Sequence, residues 1–152
     1  MDNKLTLPVI IAATGGSLWA SPATGAGASF TTPYTSPVAP DSDSTSTNPG
    51  SDSQGALTFD RFVYDSREVT PGAFFVALPG EVTDGHNFIK SALAGGATGC
   101  LVRQDWVAQQ SELDPGVAWV VVPETLGAFQ KLTAYWRNQF SDLTVIGVTG
   151  SV

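Results

Sequence analysis

From Ala56 onward, short runs of strand-forming residues alternate with longer stretches whose apolar residues recur at helical spacing. That alternation constrains the fold more than any single residue does. Strands that return in the same sense need crossovers, and helices filling those crossovers pack on a parallel or mixed sheet. Phe59–Tyr64 and Ala73–Leu78 read as strands joined by Asp65–Gly72, with a tight turn at Pro71-Gly72. A helix is predicted from about Gly85 to Ala94, with Asp84 as N-cap, Phe88, Ile89, Ala92 and Leu93 as its apolar stripe, and Gly95-Gly96 as its stop. Gly99–Val102 reads as the next strand, and Asp105 as the cap of a short helix to about Glu112. A turn at Pro115-Gly116 leads into a central buried strand, Val117–Val122. A longer helix is expected from about Glu124 to Phe140, with Leu126, Phe129, Leu132 and Trp136 on its core side, and Leu143–Val148 is a last β-type run. The expected class is α/β, a small mixed or parallel sheet with flanking helices.

Before Ala56 the texture differs. Ser21–Gly55 is almost entirely Ser, Thr, Pro, Gly, Ala and Asp, with Phe30, Tyr34 and Val38 its only large apolar residues. Such a segment buries too little apolar surface to offset its chain entropy, so residues 21–55 read as a low-complexity, disordered insertion. Residues 1–20 hold an apolar stretch, Leu5–Ala13, and Ala20-Ser21-Pro22-Ala23 faintly resembles an export cleavage site. Asp2 in place of a basic leader, with Pro8 and Gly15-Gly16 interrupting the stretch, argues instead for a helix and strand of the folded domain.

The bulk numbers narrow the partners. At 152 residues a single core is expected. A formal net charge of −7 and a pI near 4.3 argue against nucleic acid held through a basic surface. A small phosphorylated ligand remains open, because backbone N–H groups and a few polar side chains can hold one diphosphate. The single cysteine, Cys100, excludes a disulfide within the chain and reads as a small buried hydrophobe. No apolar stretch approaches the roughly 20 residues a membrane-spanning helix needs, and no metal site is expected.

Four clusters carry polar chemistry. Asp65-Ser66-Arg67 stands where a strand ends; a hydroxyl and a guanidinium there suit a phosphate or base, and the plainer alternative is a capped turn with an Asp–Arg pair. Gly80, after the next strand, permits either close approach of backbone to a ligand or a positive φ. Asp84-Gly85-His86 enters a helix whose positive end suits an anion, or Asp84 simply caps and His86 is an exposed first-turn residue. No motif places a Ser or Cys nucleophile beside that histidine, so a hydrolytic triad is not indicated. Thr144–Val152 runs from an apolar strand into Thr149-Gly150-Ser151, the way a phosphate-binding loop starts.

Taken in order, these phrases resemble the Mur ligases of peptidoglycan synthesis. The resemblance runs through Asp65-Ser66-Arg67, Val69-x-Pro71-Gly72, Phe75-Val76-Ala77-Leu78-x-Gly80, Asp84-Gly85-His86-x-Phe88, Ala92, Gly96-Ala97 and Gly147-Val148-Thr149-Gly150-Ser151. Leu5-Thr6-Leu7, Ile10 and Ala12-Ala13-Thr14-Gly15-Gly16 extend it to the start, and lean toward the branch that adds D-alanyl-D-alanine. The branch adding lysine or diaminopimelate shares the Asp-Ser-Arg and Asp-Gly-His phrases. A non-catalytic nucleotide-sugar-binding module and an exported domain on a Ser/Thr/Pro-rich stalk are the readings from other classes.

The resemblance implies a cytoplasmic, monomeric, ATP- and Mg2+-dependent ligase. Its first domain would hold the UDP end of UDP-N-acetylmuramoyl-peptide, whose terminal carboxylate is phosphorylated and then attacked by the incoming amine. On that reading residues 1–20 and 56–141 form the UDP-substrate domain and 142–152 begin the ATP-binding domain. Ser66 would contact the nucleotide, Asp65 and Arg67 would shape its turn, and Gly80, Asp84, Gly85 and His86 would line or support the cleft. Thr149, Gly150 and Ser151 would be part of the ATP loop. The phosphate-gripping lysine, the magnesium ligands and a third domain have no counterpart in these residues. The expectation is therefore a fragment with no catalytic residue, no bound cofactor and no turnover of its own. The family has only a short connection where residues 21–55 stand, so the first helix is expected to pack loosely or differently.

Overall fold

A computed structural model describes residues 4–19, 57–142, 144 and 146–150. The insertion predicted at 21–55 lies outside the described residues. In chain order the elements are β1 (Leu5–Thr6), α1 (Leu7–Thr14), β2 (Ser17–Leu18), β3 (Thr58–Phe59), β4 (Phe62–Val63), β5 (Phe74–Val76), α2 (Ile89–Ala94), β6 (Gly99–Arg103), α3 (Gln104–Val107), β7 (Ala118–Val122) and α4 (Thr125–Asn138), with 3-10 turns at Ser66–Glu68 and Gly85–Phe88. The main sheet has the order β2-β7-β6-β5-β4. Strands β4 to β7 run parallel and β2 runs antiparallel on β7, while β1 pairs with β3 in a separate two-stranded ribbon. The mixed α/β sheet with flanking helices is the class expected from the alternation.

Strand alternation divides the core between the two faces of the sheet. Ala118, Val120 and Val122 of β7 pack with Leu7 and Ile10 of α1 and with Ala128 and Leu132 of α4. Trp119 and Val121 point the other way, to Ile89 and Ala92 of α2, Cys100 and Leu113. Trp119 spans that second layer and donates its indole N–H to the Asp114 carbonyl at 2.8 Å. Cys100 is fully buried, and burial pushes its thiol up to about 12.

Several boundaries differ from the sequence reading, each for a local reason. The run Phe59–Tyr64 is two strands, because exposed Asp60 and Arg61 interrupt it. The break lets Phe59 and Phe62 both reach Phe74, at ring distances of 4.9 and 5.3 Å. Gly85–Phe88 is a 3-10 turn before α2, and its tighter winding leaves Phe88 42% exposed rather than in the stripe. Asp84 does cap it, accepting from the His86 N–H. The short helix after β6 stops at Val107, with Arg103 as its N-cap and Asp105 inside its first turn. Gln109 and Gln110 donate side-chain N–H groups to the Asp105 and Trp106 carbonyls, competing for the acceptors a longer helix would use.

In α4 the buried positions are Thr125, Ala128 and Leu132, and Leu126, one residue round from Thr125, is 43% exposed. The first helix does not pack loosely. Leu7 and Ile10 are 2% and 0% exposed, and Gly15 ends α1 in a left-handed conformation with φ 69. Thr144 and Ile146–Gly150 take no part in a strand, and Ile146 and Val148 stand in solvent.

Candidate functional site

Because β4 to β7 are parallel, their carboxyl ends open on one edge of the sheet, where ligands of open α/β sheets bind. The register sets Val63 beside Phe75, Val76 beside Leu101 and Arg103 beside Val122. It follows that Tyr64–Arg67, Leu78–His86, Arg103 and Pro123-Glu124 share that edge. The clusters picked from the sequence at 65–67, 80 and 84–86 are thereby brought together, and Thr149 and Gly150 are not part of them.

The turn after β4 is self-bracing. Asp65 accepts from the Arg67 backbone N–H at 3.0 Å, and its carboxylate takes the Arg67 guanidinium through Nε at 2.9 Å and Nη2 at 2.6 Å. Those side-chain bonds, reinforced by the backbone one, hold the Asp65 carboxyl at about 2, well below its usual value. Between these two residues the half-buried Ser66 makes no side-chain hydrogen bond among the described residues, which leaves its hydroxyl available to a ligand.

The loop after β5 closes on itself. The Gly80 N–H donates to the Thr83 carbonyl at 3.1 Å and the Gly85 N–H to the Leu78 carbonyl at 2.9 Å, with a bridge between Pro79 and Asp84. A Cβ at Gly80 would stand 2.6 Å from the Thr83 oxygen, and one at Gly85 2.6 Å from the Leu78 oxygen. Neither glycine has a positive φ. The close approach that each permits is to the loop's own backbone.

His86 is 4% exposed, not an open first-turn residue. Its Nε2 accepts from the Arg103 backbone N–H at 2.9 Å, so that nitrogen carries no proton and the ring hydrogen sits on Nδ1. Nδ1 then donates to Asp84 Oδ1 at 2.5 Å. The ring lies 5.5 Å from Trp106, which lies 6.0 Å from Trp119. With both nitrogens engaged and an aromatic wall beside it, His86 supports the edge from beneath.

Two residues that the sequence reading did not single out complete this frame. Arg103 donates from Nη2 to Asp84 Oδ2 at 3.1 Å and from Nε to Asp105 Oδ1 at 3.0 Å. Burial raises the Asp84 carboxyl, but the bonds from His86 and the charge of Arg103 outweigh it, and the net shift is downward. Glu124 caps α4, accepting from the Leu126 and Gly127 N–H groups at 2.6 Å each. That carboxylate fills the positive helix end that a ligand anion could otherwise have used. An Arg-x-Asp phrase at a strand end and a Glu opening a helix were the available signals.

A pocket of about 190 Å3 lies elsewhere, at the amino ends of the strands, between α4 and Phe62. Thr149 and Gly150 lie in exposed chain, Ser151 is outside the described residues, and a Cβ on Gly147 or Gly150 would meet nothing within 4 Å. No group of three His, Cys, Asp or Glu residues among the described residues is arranged to hold a metal ion. No described helix is long and apolar enough to cross a membrane.

The family model described as "Mur ligase family, catalytic domain" matches residues 60–133, the stretch from the end of β3 into α4. The UDP-N-acetylmuramoyl-tripeptide–D-alanyl-D-alanine ligase of Treponema pallidum is 38% identical over 106 residues, 66% of this chain and 23% of its own length. Over that stretch the chain is similar to the Mur ligase family. Its Mur ligase relatives are of two kinds. The UDP-N-acetylmuramoyl-L-alanyl-D-glutamate–2,6-diaminopimelate ligase of Chlorobaculum tepidum is 43% identical over 88 residues, 57% of this chain and 16% of its own. A crystal structure of MurF from Acinetobacter baumannii aligns with a TM-score of 0.48 at 31% identity, over 59% of this chain and 18% of that one. The chain thus spans less than a quarter of the length of the curated relatives named here.

Proposed function

We propose that this chain is the substrate-gripping part of an ATP-dependent ligase of peptidoglycan precursors, and that its carboxyl-end edge receives the UDP end of a UDP-N-acetylmuramoyl-peptide. The observation that carries this reading is Ser66: a hydroxyl without a partner among the described residues, presented at a parallel strand end by a turn that Asp65 and Arg67 brace. A hydroxyl so placed can donate to a phosphate or base oxygen without first breaking a bond of its own. Asp84, Gly85, Gly80 and His86 act as the rigid loop beside it. In the whole protein, ATP and Mg2+ would activate the peptide carboxylate as an acyl phosphate, with Thr149, Gly150 and Ser151 in the ATP loop. The enzyme would act in the cytoplasm as a monomer.

For the incoming group, D-alanyl-D-alanine is the proposed choice, on the strength of the opening phrase Leu5-Thr6-Leu7 to Gly15-Gly16. A diaminopimelate- or lysine-adding ligase is the second reading, favoured by the 43% identity to the Chlorobaculum tepidum enzyme. Calorimetric titration of the chain with UDP-N-acetylmuramoyl-tripeptide tests the site. Ser66→Ala is expected to weaken binding about tenfold, the scale of one hydrogen bond to a charged group. Unchanged affinity removes Ser66 from the site. Ligation by the whole protein, with UDP-N-acetylmuramoyl-tripeptide plus D-alanyl-D-alanine set against UDP-N-acetylmuramoyl-dipeptide plus diaminopimelate or lysine, decides the branch.

A further inference from the structure

We propose that the pocket at the amino ends of the strands is a binding site for the ammonium head of an alkylamine. Its space, about 190 Å3, is walled by the half-buried rings of Phe62, Phe129 and Trp136, floored by buried Leu5 and Leu132, and edged by the carboxylate of exposed Asp60. Phe129 and Trp136 lie seven residues apart on one face of α4, with Leu132 between them. Neighbouring rings fix two of the walls: Phe62 lies tilted on Phe74 at 5.3 Å, and Trp136 meets Phe140 edge-on at 5.5 Å.

The lining selects a chemistry. Aromatic faces are electron-rich and attract an ammonium group set over them, while the leucine floor accepts its alkyl chain. Among the described residues lining the pocket, Asp60 is the only charged one. It adds attraction for a cation and repels an anion. Drug-sized sites run to roughly 300–1,000 Å3, so this one holds only a small head group. The chain's net charge of −7 raises the local concentration of cations around it. A free alkylamine and a lysine side chain on another polypeptide offer the same chemistry.

The test is a titration of the 152-residue chain followed by NMR at the Trp136 indole N–H, with n-butylammonium against neutral n-butanol. Saturable shifts are expected, with butylammonium binding about tenfold more tightly. Asp60→Asn, a surface change that leaves the core intact, is expected to abolish most of that preference while butanol binding stays the same. Phe129→Leu, read at the same Trp136 indole, is expected to erase much of the preference from the aromatic side. The peptide acetyl-Gly-Lys-Gly-amide, against its norleucine counterpart, distinguishes the sources: saturation by it supports a lysine side chain, and saturation by the free amine alone supports a small molecule. Equal affinities for butanol and butylammonium, full preference retained in Asp60→Asn, or no saturable shift up to about 50 mM would each overturn the proposal.

Discussion

At Asp65 one carboxylate answers two groups of the same neighbour, the backbone N–H and the guanidinium of Arg67. Its ionised form is favoured, and its midpoint lies at about 2 instead of 3.8. A depressed acid contributes stability that is present above its unfolded value and lost as pH falls through the folded one. Here the window is from 3.8 down to about 2, and the contribution is small because the pair is open to water. Carboxyl-detected NMR titration should give a midpoint near 2 for Asp65, moving back toward 3.8 in Arg67→Ala. A midpoint that Arg67→Ala leaves in place would mean the backbone N–H alone sets it. The Asp-Ser-Arg phrase made this pair legible, because residues two apart across a tight turn can reach each other. The role of His86 was not legible: only the register of β6 brings the Arg103 N–H to its Nε2.

Helix α4 separates what periodicity can read from what it cannot. The spacing Phe129, Leu132, Trp136 marked the correct side of the helix, since its sheet-facing residues recur every three or four positions. It could not tell that Leu126 falls outside the stripe while Thr125 falls inside, because near a helix start the entry angle is set by the preceding strand and the cap. The energetics should follow the structure. Leu132→Ala is expected to cost about 2–5 kcal/mol in urea unfolding, whereas Leu126→Ala should stay within about 0.5 kcal/mol. A Leu126 loss as large as that of Leu132 would contradict the placement of the helix. Removing the cap in Glu124→Ala should cost roughly 0.5–2 kcal/mol, because two N–H groups lose their acceptor. The short α3 was misjudged for a related reason: the glutamine side chains that cap its carbonyls act through contacts, not through apolar period.

For the molecule as a whole, the segment 4–19 belongs to the core despite the 37-residue interval between Trp19 and Leu57. Loop-closure entropy grows only with the logarithm of length, so a long interval costs little more than a short one. The contacts on the near side are extensive. Leu7 and Ile10 cover Phe59, Phe74 and Val120, the Leu7 N–H donates to the Leu57 carbonyl at 2.9 Å, and β2 extends the sheet beyond β7. The Trp19 N–H adds a bond to the Trp119 carbonyl at 2.9 Å. Judging that first helix by the length of the interval therefore led to the wrong expectation. What decides its packing is the apolar face it covers, and the sequence carries that in Leu7 and Ile10. Without residues 4–19, α4 alone would remain on that face of the sheet, and the apolar surface that Leu7 and Ile10 cover would be exposed to water. A chain beginning at residue 57 should bind a hydrophobic dye and lose its cooperative urea transition. Adding a peptide of residues 1–20 should restore the transition. A sharp, dye-free transition in the shortened chain would mean that β4 to β7 and the carboxyl-end site stand without α1.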